Sequence, residues 1–239
     1  MSRTLLSGKT REFLLVMRGL KDILYPNHCV GCNASSGRGL PLCPFCERTL
    51  PWVDPADVQD RMRKAQQPND VPLQGRSGWI FDKKGHIQVL HQRLKFGGFP
   101  HVGFDLAVLM AHAIDPIPPG AYMVPLPLHR LRQLERGYNQ SDYIAEGLAT
   151  AWHCAVRNPL ERHRFGRSQT GKGRTLRARS LDGAFVAAAA AGQPWDVNAP
   201  LWLVDDILTT GSTLWSAART LRQAGYRVEG CLTLGMART

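Results

Sequence analysis

The sequence predicts an α/β domain built on a parallel sheet, preceded by a small cysteine-bearing module. Three observations carry that expectation. Apolar strand-like runs alternate with amphipathic helices from about residue 121 onward. Leu201–Val204 is a continuous apolar run of the kind a strand covered on both faces requires. Four of the six cysteines fall in two C-x2-C pairs near the N-terminus. Alternating strands and helices mark parallel sheets with helices on both faces.

The 239 residues leave room for one ordinary domain and a small accessory module. At 44% hydrophobic the chain can build a core, which excludes a disordered protein. We expect three segments: a head at 1–54, a linker at 55–75 and the α/β domain at 76–239. Phe13, Met17, Leu20 and Leu24 form the stripe of a short amphipathic helix. No run approaches the ~18 to 20 apolar residues of a membrane helix, and no small-residue cleavage site follows Phe13–Met17. A cytoplasmic location is therefore expected. Pro55 to Gln74 is polar and aperiodic, hence the linker. Trp79–Phe81 reads as a short strand, followed by a turn at Asp82–Gly85. A helix carrying Ile87, Leu90 and Leu94 stops at Gly97-Gly98. Val102–Ile114 is apolar almost all round, a buried helix. Ala121–Leu126 is a strand, then come a basic loop and a helix from about Ser141 with Ile144, Leu148 and Trp152. Leu160–Ser180 is basic, glycine-dotted and aperiodic, expected to be mobile. Ser212–Ala224 is a helix ended by Gly225, and Tyr226–Leu234 a closing strand.

The most informative stretch runs from the Leu201–Val204 strand through Asp205-Asp206 to Thr209-Thr210-Gly211-Ser212-Thr213 and into a helix. Backbone N–H groups at a helix start point outward unsatisfied and make an anion site. Gly211 lets the backbone approach a phosphate, and the four hydroxyls add donors. Phosphate repels carboxylates, so Asp205 and Asp206 suggest a neighbouring hydrogen-bond donor such as ribose hydroxyls. The alternative is that Asp206 and Thr209 merely cap the helix. The chain contains no G-x-x-x-x-G-K-[ST] loop and no G-x-G-x-x-G fingerprint, which leaves triphosphate and dinucleotide readings without support. The order V-D-D-x-x-T-T-G-x-T resembles the phosphoribosyl pyrophosphate (PRPP) signature of type I phosphoribosyltransferases, a Rossmann-like parallel-sheet fold. That resemblance implies that Asp205 and Asp206 hold the ribose 2′- and 3′-hydroxyls and that Thr209, Thr210, Gly211, Ser212 and Thr213 cradle the 5′-phosphate.

A second loop, Pro125 to Gln140, offers His129, Arg130, Arg132 and Arg136 directly after a strand. A leaving pyrophosphate needs such cations as its charge grows; a basic surface loop with a helix cap at Asn139 or Ser141 is the alternative. Pro125, Pro127, Leu128, His129, Arg132, Arg136, Gly137, Tyr138, Asn139 and Gln140 resemble a motif of the ComF (competence protein F-like) family. So do Leu94–Gly98 and a later arm with Arg164, Ser168-Gln169-Thr170, Arg174, Arg177 and Gly183-Ala184-Phe185, although Ser180 stands where the family usually has Asn. The resemblance implies a pyrophosphate role for the second loop, above all for His129 and Arg130. It also implies a mobile loop with Gln169, Arg174 and Arg177 that closes over the site.

Cys29, Cys32, Cys43 and Cys46 give C-x2-C-x10-C-x2-C. Two such knuckles supply four thiolates, the donor set of a closed structural Zn²⁺ site in a zinc-ribbon-like module; disulfides are the alternative. Such a site has no open position for substrate. His28 is read as a neighbour, and Cys154 and Cys231 as core thiols.

The formal charge is +11, and Arg130 to Ser180 alone holds eleven Lys/Arg against four Asp/Glu. An anionic partner follows. The family resemblance implies PRPP with Mg²⁺ as ligand, phosphoribosyl transfer to an acceptor the sequence does not disclose, and a role in natural competence, the uptake and use of external DNA. The alternatives are a non-catalytic factor associated with single-stranded DNA or other competence proteins, or a PRPP-sensing regulator.

Overall fold

An apolar run such as Leu201–Val204 is stable as a strand only when both its faces are covered. In the computed structural model all four residues are fully buried. The structure describes residues 28–29, 32–36, 42–81, 92, 101–162 and 184–238. Contacts divide the chain into two compact units, Met1–Thr49 and Leu50–Thr239. The first unit has one helix among its described residues, α1 (Pro44–Thr49). The second runs α2 (Pro55–Ala65), β1 (Gln74–Phe81), α3 (His101–Ala111), β2 (Tyr122–Pro125), α4 (Arg130–Arg136), α5 (Gln140–Ala151) and β3 (Ala155–Val156). It continues through β4 (Leu160–Arg162), β5 (Phe185–Ala187), β6 (Leu201–Leu208), α6 (Ser212–Gln223) and β7 (Val228–Ala237).

Five strands form one sheet in the order β1-β7-β6-β2-β3, and every pairing in it is parallel. The chain leaves β2 toward β3 and leaves β6 toward β7, so winding reverses between β2 and β6. Open parallel sheets bind ligands beyond the strands' carboxyl ends at such a reversal. The register sharpens the point. β2 ends at Pro125 opposite Val204, whereas β6 continues to Leu208 paired with β7. From Asp205 onward, β6 therefore has an open flank facing the segment that follows β2.

Helices cover both faces, as expected. Leu201 and Leu203 share a buried cluster with Val58 and Met62 of α2 and with Leu214, Trp215 and Leu221 of α6. On β1, Gly75 faces Val58 and Met62, while Gly78 faces Met110 of α3. α3 and α5 meet at Gly147, where a side chain would strike the Phe104 carbonyl oxygen and lie 2.8 Å from Ala107 Cβ.

Several expectations need correction. The segment read as an aperiodic linker holds α2. Asp54 caps it, accepting the Ala56 N–H at 2.8 Å, and Pro55 opens it. Val58 and Met62 alone make its buried stripe, too thin a signal among polar neighbours. β1 is longer than Trp79–Phe81 because its first half is chosen for close approach: Gly75, Gly78 and Ser77, whose hydroxyl accepts from Thr233 at 3.0 Å. The basic loop contains α4. β4 and β5 form an antiparallel pair that the sequence reading did not anticipate. The N-terminal amphipathic helix, the Leu94–Gly98 motif and the arm at 163–183 lie outside the described residues.

Gly147→Ala tests the α3–α5 contact. Ala is the better helix former by about 1 kcal/mol, yet the clash with Phe104 opposes it and overpacking costs ~1 to 3 kcal/mol. Urea unfolding is expected to show a net loss of stability; a gain means the helices separate without cost.

Candidate functional site

The first unit gathers its cysteines by local backbone bonding. The Cys29 N–H donates to Ala34 O at 2.7 Å and the Asn33 N–H to Cys29 O at 2.8 Å, with Asn33 left-handed at φ 64°. α1 begins just after Cys43, and the Cys46 N–H points at Cys43 Sγ at 3.5 Å. The four Sγ atoms all lie within 4.8 Å of one another, and Cys32 and Cys43 sulfurs are 3.7 Å apart. A tetrahedron of metal–sulfur bonds near 2.3 Å has edges of about 3.8 Å, so the set fits a metal ion. All four are free thiols in this structure, with no disulfide among them. Burial, then the neighbouring sulfurs, push the Cys46 thiol up; a bound cation reverses that balance. His28 stays outside the cluster, its Nδ1 3.0 Å from Asn33 O. Cys231 is a buried core thiol pushed up by burial to about 12, and Cys154 is half-buried.

In the second unit, Asp205 and Asp206 sit where β6 loses its β2 neighbour. Asp205 Oδ1 accepts the Asp206 N–H at 2.9 Å and the Ser141 hydroxyl at 3.2 Å, and Asp206 Oδ1 accepts the Ile207 N–H at 2.8 Å. Neither acid caps α6: its N-cap is Gly211, at φ 81° and without a side-chain cap bond. The helix-cap alternative for Asp206 and Thr209 thus fails. Thr210 Oγ1 lies 2.8 Å from Ser212 Oγ and accepts the Ser212 N–H at 3.4 Å. Burial and then the charge of Asp206 raise the Asp205 carboxyl to about 7, against the Asp206 N–H, Ser141 and Arg162, which lower it.

A cavity of about 390 Å³ opens here, and its lining includes Asp205, Asp206, Thr209, Gly211 and Thr213 together with Arg132, Arg136, Arg162 and Arg238. Four arginines against two carboxylates make it a site for an anion. Arg132 and Arg136 reach it from α4. Asn139 holds the segment after β2 in place, its Nδ2 donating to Leu126 O at 3.0 Å and to Asp142 Oδ1 at 2.8 Å. His129 has a structural use: its Nδ1 accepts the Leu131 N–H at 3.3 Å and caps α4. The Arg130 side chain, Gln169, Arg174 and Arg177 lie outside what the structure describes. Thr210 and Ser212 line an adjoining cavity of about 880 Å³ with Arg61, Lys64, Arg219 and Arg238.

No family model matches the chain. Competence protein F of Haemophilus influenzae is 32% identical over 237 residues, covering 92% of this chain and 94% of that protein. The chain belongs to the competence protein F family. DNA utilization protein YhgH of Salmonella typhi is 29% identical over 204 residues, 82% of this chain and 85% of that protein. Among solved structures, glutamine phosphoribosylpyrophosphate amidotransferase from B. subtilis aligns at a TM-score of 0.39 and 17% identity, over 59% of this chain and 30% of that chain. The expected family and the expected architecture, a parallel α/β sheet with a four-cysteine cluster in the N-terminal unit, both stand.

This competence protein F relative also has site residues that the sequence reading missed. Arg162 stands on β4 with its guanidinium over the Phe185 ring at 5.4 Å and its Nε buried without a hydrogen-bond partner. Burial lowers its pKa, Asp205 raises it and Arg132 lowers it. It was hidden among the other arginines of the basic stretch. Ser141, read only as a possible cap, donates to Asp205 instead.

The raised Asp205 pKa has a definite sign. Ionising Asp205 costs the folded state more than the unfolded one, whose carboxyl titrates near its ordinary value of 3.8. The penalty is full above about pH 7 and disappears as pH falls toward 4. Asp205→Asn is therefore expected to be more stable than the wild type at pH 8, with the gap narrowing by pH 5. Thermal unfolding at both values checks this; a gap that is constant with pH contradicts it.

Proposed function

We propose that the cavity at the sheet's winding reversal binds PRPP and that the protein is a phosphoribosyltransferase-like member of its family acting in DNA utilisation. One observation carries the reading: two carboxylates, residues of the loop that leads into α6 and four arginines line one cavity. Each matches one part of PRPP. Asp205 and Asp206 accept hydrogen bonds from the ribose 2′- and 3′-hydroxyls. The N–H groups and hydroxyls of 209–213 take the 5′-phosphate. Arg132 and Arg136, with Arg130 and His129 on the same segment, stand for the pyrophosphate. Mg²⁺ fits beside it, since carboxylate and phosphate oxygens are its preferred ligands, and it neutralises pyrophosphate charge.

In phosphoribosyl transfer the bond from C1′ to the pyrophosphate oxygen breaks and its electron pair leaves with pyrophosphate. A bond from an acceptor nucleophile to C1′ forms. The arginines stabilise the charge growing on the leaving oxygen. Gln169, Arg174 and Arg177 belong to the segment assigned here to covering the site. The acceptor is undefined, and PRPP sensing without turnover uses the same contacts.

The excess of arginine also favours a second reading, contact with single-stranded DNA, the more so as relatives carry the name DNA utilization protein. That contact is expected to weaken steeply with salt and to survive loss of Asp205 and Asp206.

Titration calorimetry with PRPP and Mg²⁺ tests the first reading. Asp205→Asn with Asp206→Asn removes two charge-assisted contacts of about 1.5 to 3 kcal/mol each, so affinity is expected to fall roughly 100-fold or more. Unchanged affinity in the double variant refutes the assignment.

We assign Zn²⁺ to Cys29, Cys32, Cys43 and Cys46 as a closed structural site, with no position for substrate. Elemental analysis is expected to find one zinc per chain, lost from a Cys43→Ser, Cys46→Ser variant. Metal-free protein with four titratable thiols overturns it.

A further inference from the structure

The phosphate loop is shaped by a helix that lies far from it in sequence. The β6–β7 ladder ends at the pair Leu208–Met236. The next two residues are Thr209, where the loop begins, and Ala237, the last of β7, and their carbonyl oxygens stand at the ladder's end. Arg61 of α2 closes it. Its Nη1 donates to Thr209 O at 2.6 Å and to Ala237 O at 3.1 Å. A single guanidinium thus replaces the next rung between the strands.

Two further contacts come from the same helix. A Cβ placed on Gly211 would lie 3.3 Å from Met62 Sδ and 3.4 Å from Ala65 Cβ, so α2 backs the loop at its midpoint. One turn into α6, the buried Trp215 Nε1 donates to Met62 O at 2.9 Å. α2 is itself fixed to the sheet, since Gln59 Nε2 donates to Gly75 O at 2.9 Å. The loop is held at its entry, at its middle and at the helix it leads into.

We propose that Arg61 is a positioning residue for 5′-phosphate recognition, holding the Thr209 carbonyl so that the amides of the loop converge on the phosphate. The proposal rests on the PRPP reading above. A constellation of amide donors must be held within about half an ångström to bind productively. Charge-assisted bonds to two carbonyls provide such a constraint, while an unbridged Thr209 carbonyl is free to turn.

The test uses the full chain and three ligands in the presence of Mg²⁺: ribose 5-phosphate and PRPP, which need the loop, and inorganic pyrophosphate, which needs the arginines. For Arg61→Ala, affinity for ribose 5-phosphate and PRPP is expected to fall about tenfold or more, the scale of a lost charge-assisted bond. Pyrophosphate affinity is expected to stay within about twofold, because only the loop has moved. Arg61→Lys is expected to recover part of the loss, since an ammonium retains the charge but not the planar fork. Equal loss for all three ligands, which a general unfolding would also produce, overturns the proposal, and so does no loss at all. Wild-type protein that binds neither ribose 5-phosphate nor PRPP refutes the function reading itself and Arg61 with it. Wild-type binding with an unselective Arg61→Ala refutes Arg61 alone.

Discussion

Two adjacent carboxylates, half-buried where β6 leaves the core, repel each other and keep only part of the water that would screen them. The surroundings of Asp205 and Asp206 respond to that constraint. Ser141 reaches across from α5 to donate to Asp205, backbone amides turn toward both side chains, and Arg162 contributes positive charge. Even so, Asp205 remains hard to ionise. A sheet that only needed to be stable would place apolar residues here, as it does at Leu201–Val204. Burial first and mutual repulsion second keep this pair costly, a cost that the proposed ligand, rich in donors and accompanied by a cation, would relieve.

The arginines pose the opposite problem. Four of them line the same cavity as the two acids, and Arg162 and Arg132 oppose each other's charge. Like charges gathered in a partly buried cleft are costly until an anion arrives. Acids and cations lining one cavity, Arg162 acting on Asp205 itself, fit a ligand that carries both hydroxyls and phosphates. The fold permits this arrangement because the acids come from β6 and Arg132 and Arg136 from α4, and both elements line the one cavity.

How much of this was legible in the sequence depended on how densely each signal was written. Leu201–Val204 announced a buried strand because every residue was apolar, and the acids and glycine after it kept their order. The four cysteines were legible because metal spacing is rigid. α2 was not, since its anchoring is done by Val58, Met62, Gln59 and Arg61, and most of its eleven positions are polar or small. Hydrophobic periodicity does not register a guanidinium that bridges two carbonyls. β1 was half seen: its glycines and serine are there to let α2, α3 and β7 approach, and such residues look like a turn. Arg162 and Ser141 both act on Asp205, more than forty positions away, a relation that no local pattern carries.

Gly211 has a consequence for how this protein can change over time. Its left-handed backbone costs any other residue about 1 to 2 kcal/mol, and a new methyl group would also press on Met62 and Ala65. Together these penalties amount to a few kcal/mol against a domain stability of about 5 to 15 kcal/mol, so a substituted chain can still fold. Under the proposed phosphate reading, drift at this codon is filtered by ligand capture more than by folding, and a lineage that no longer needs the ligand should lose this glycine early while keeping its core.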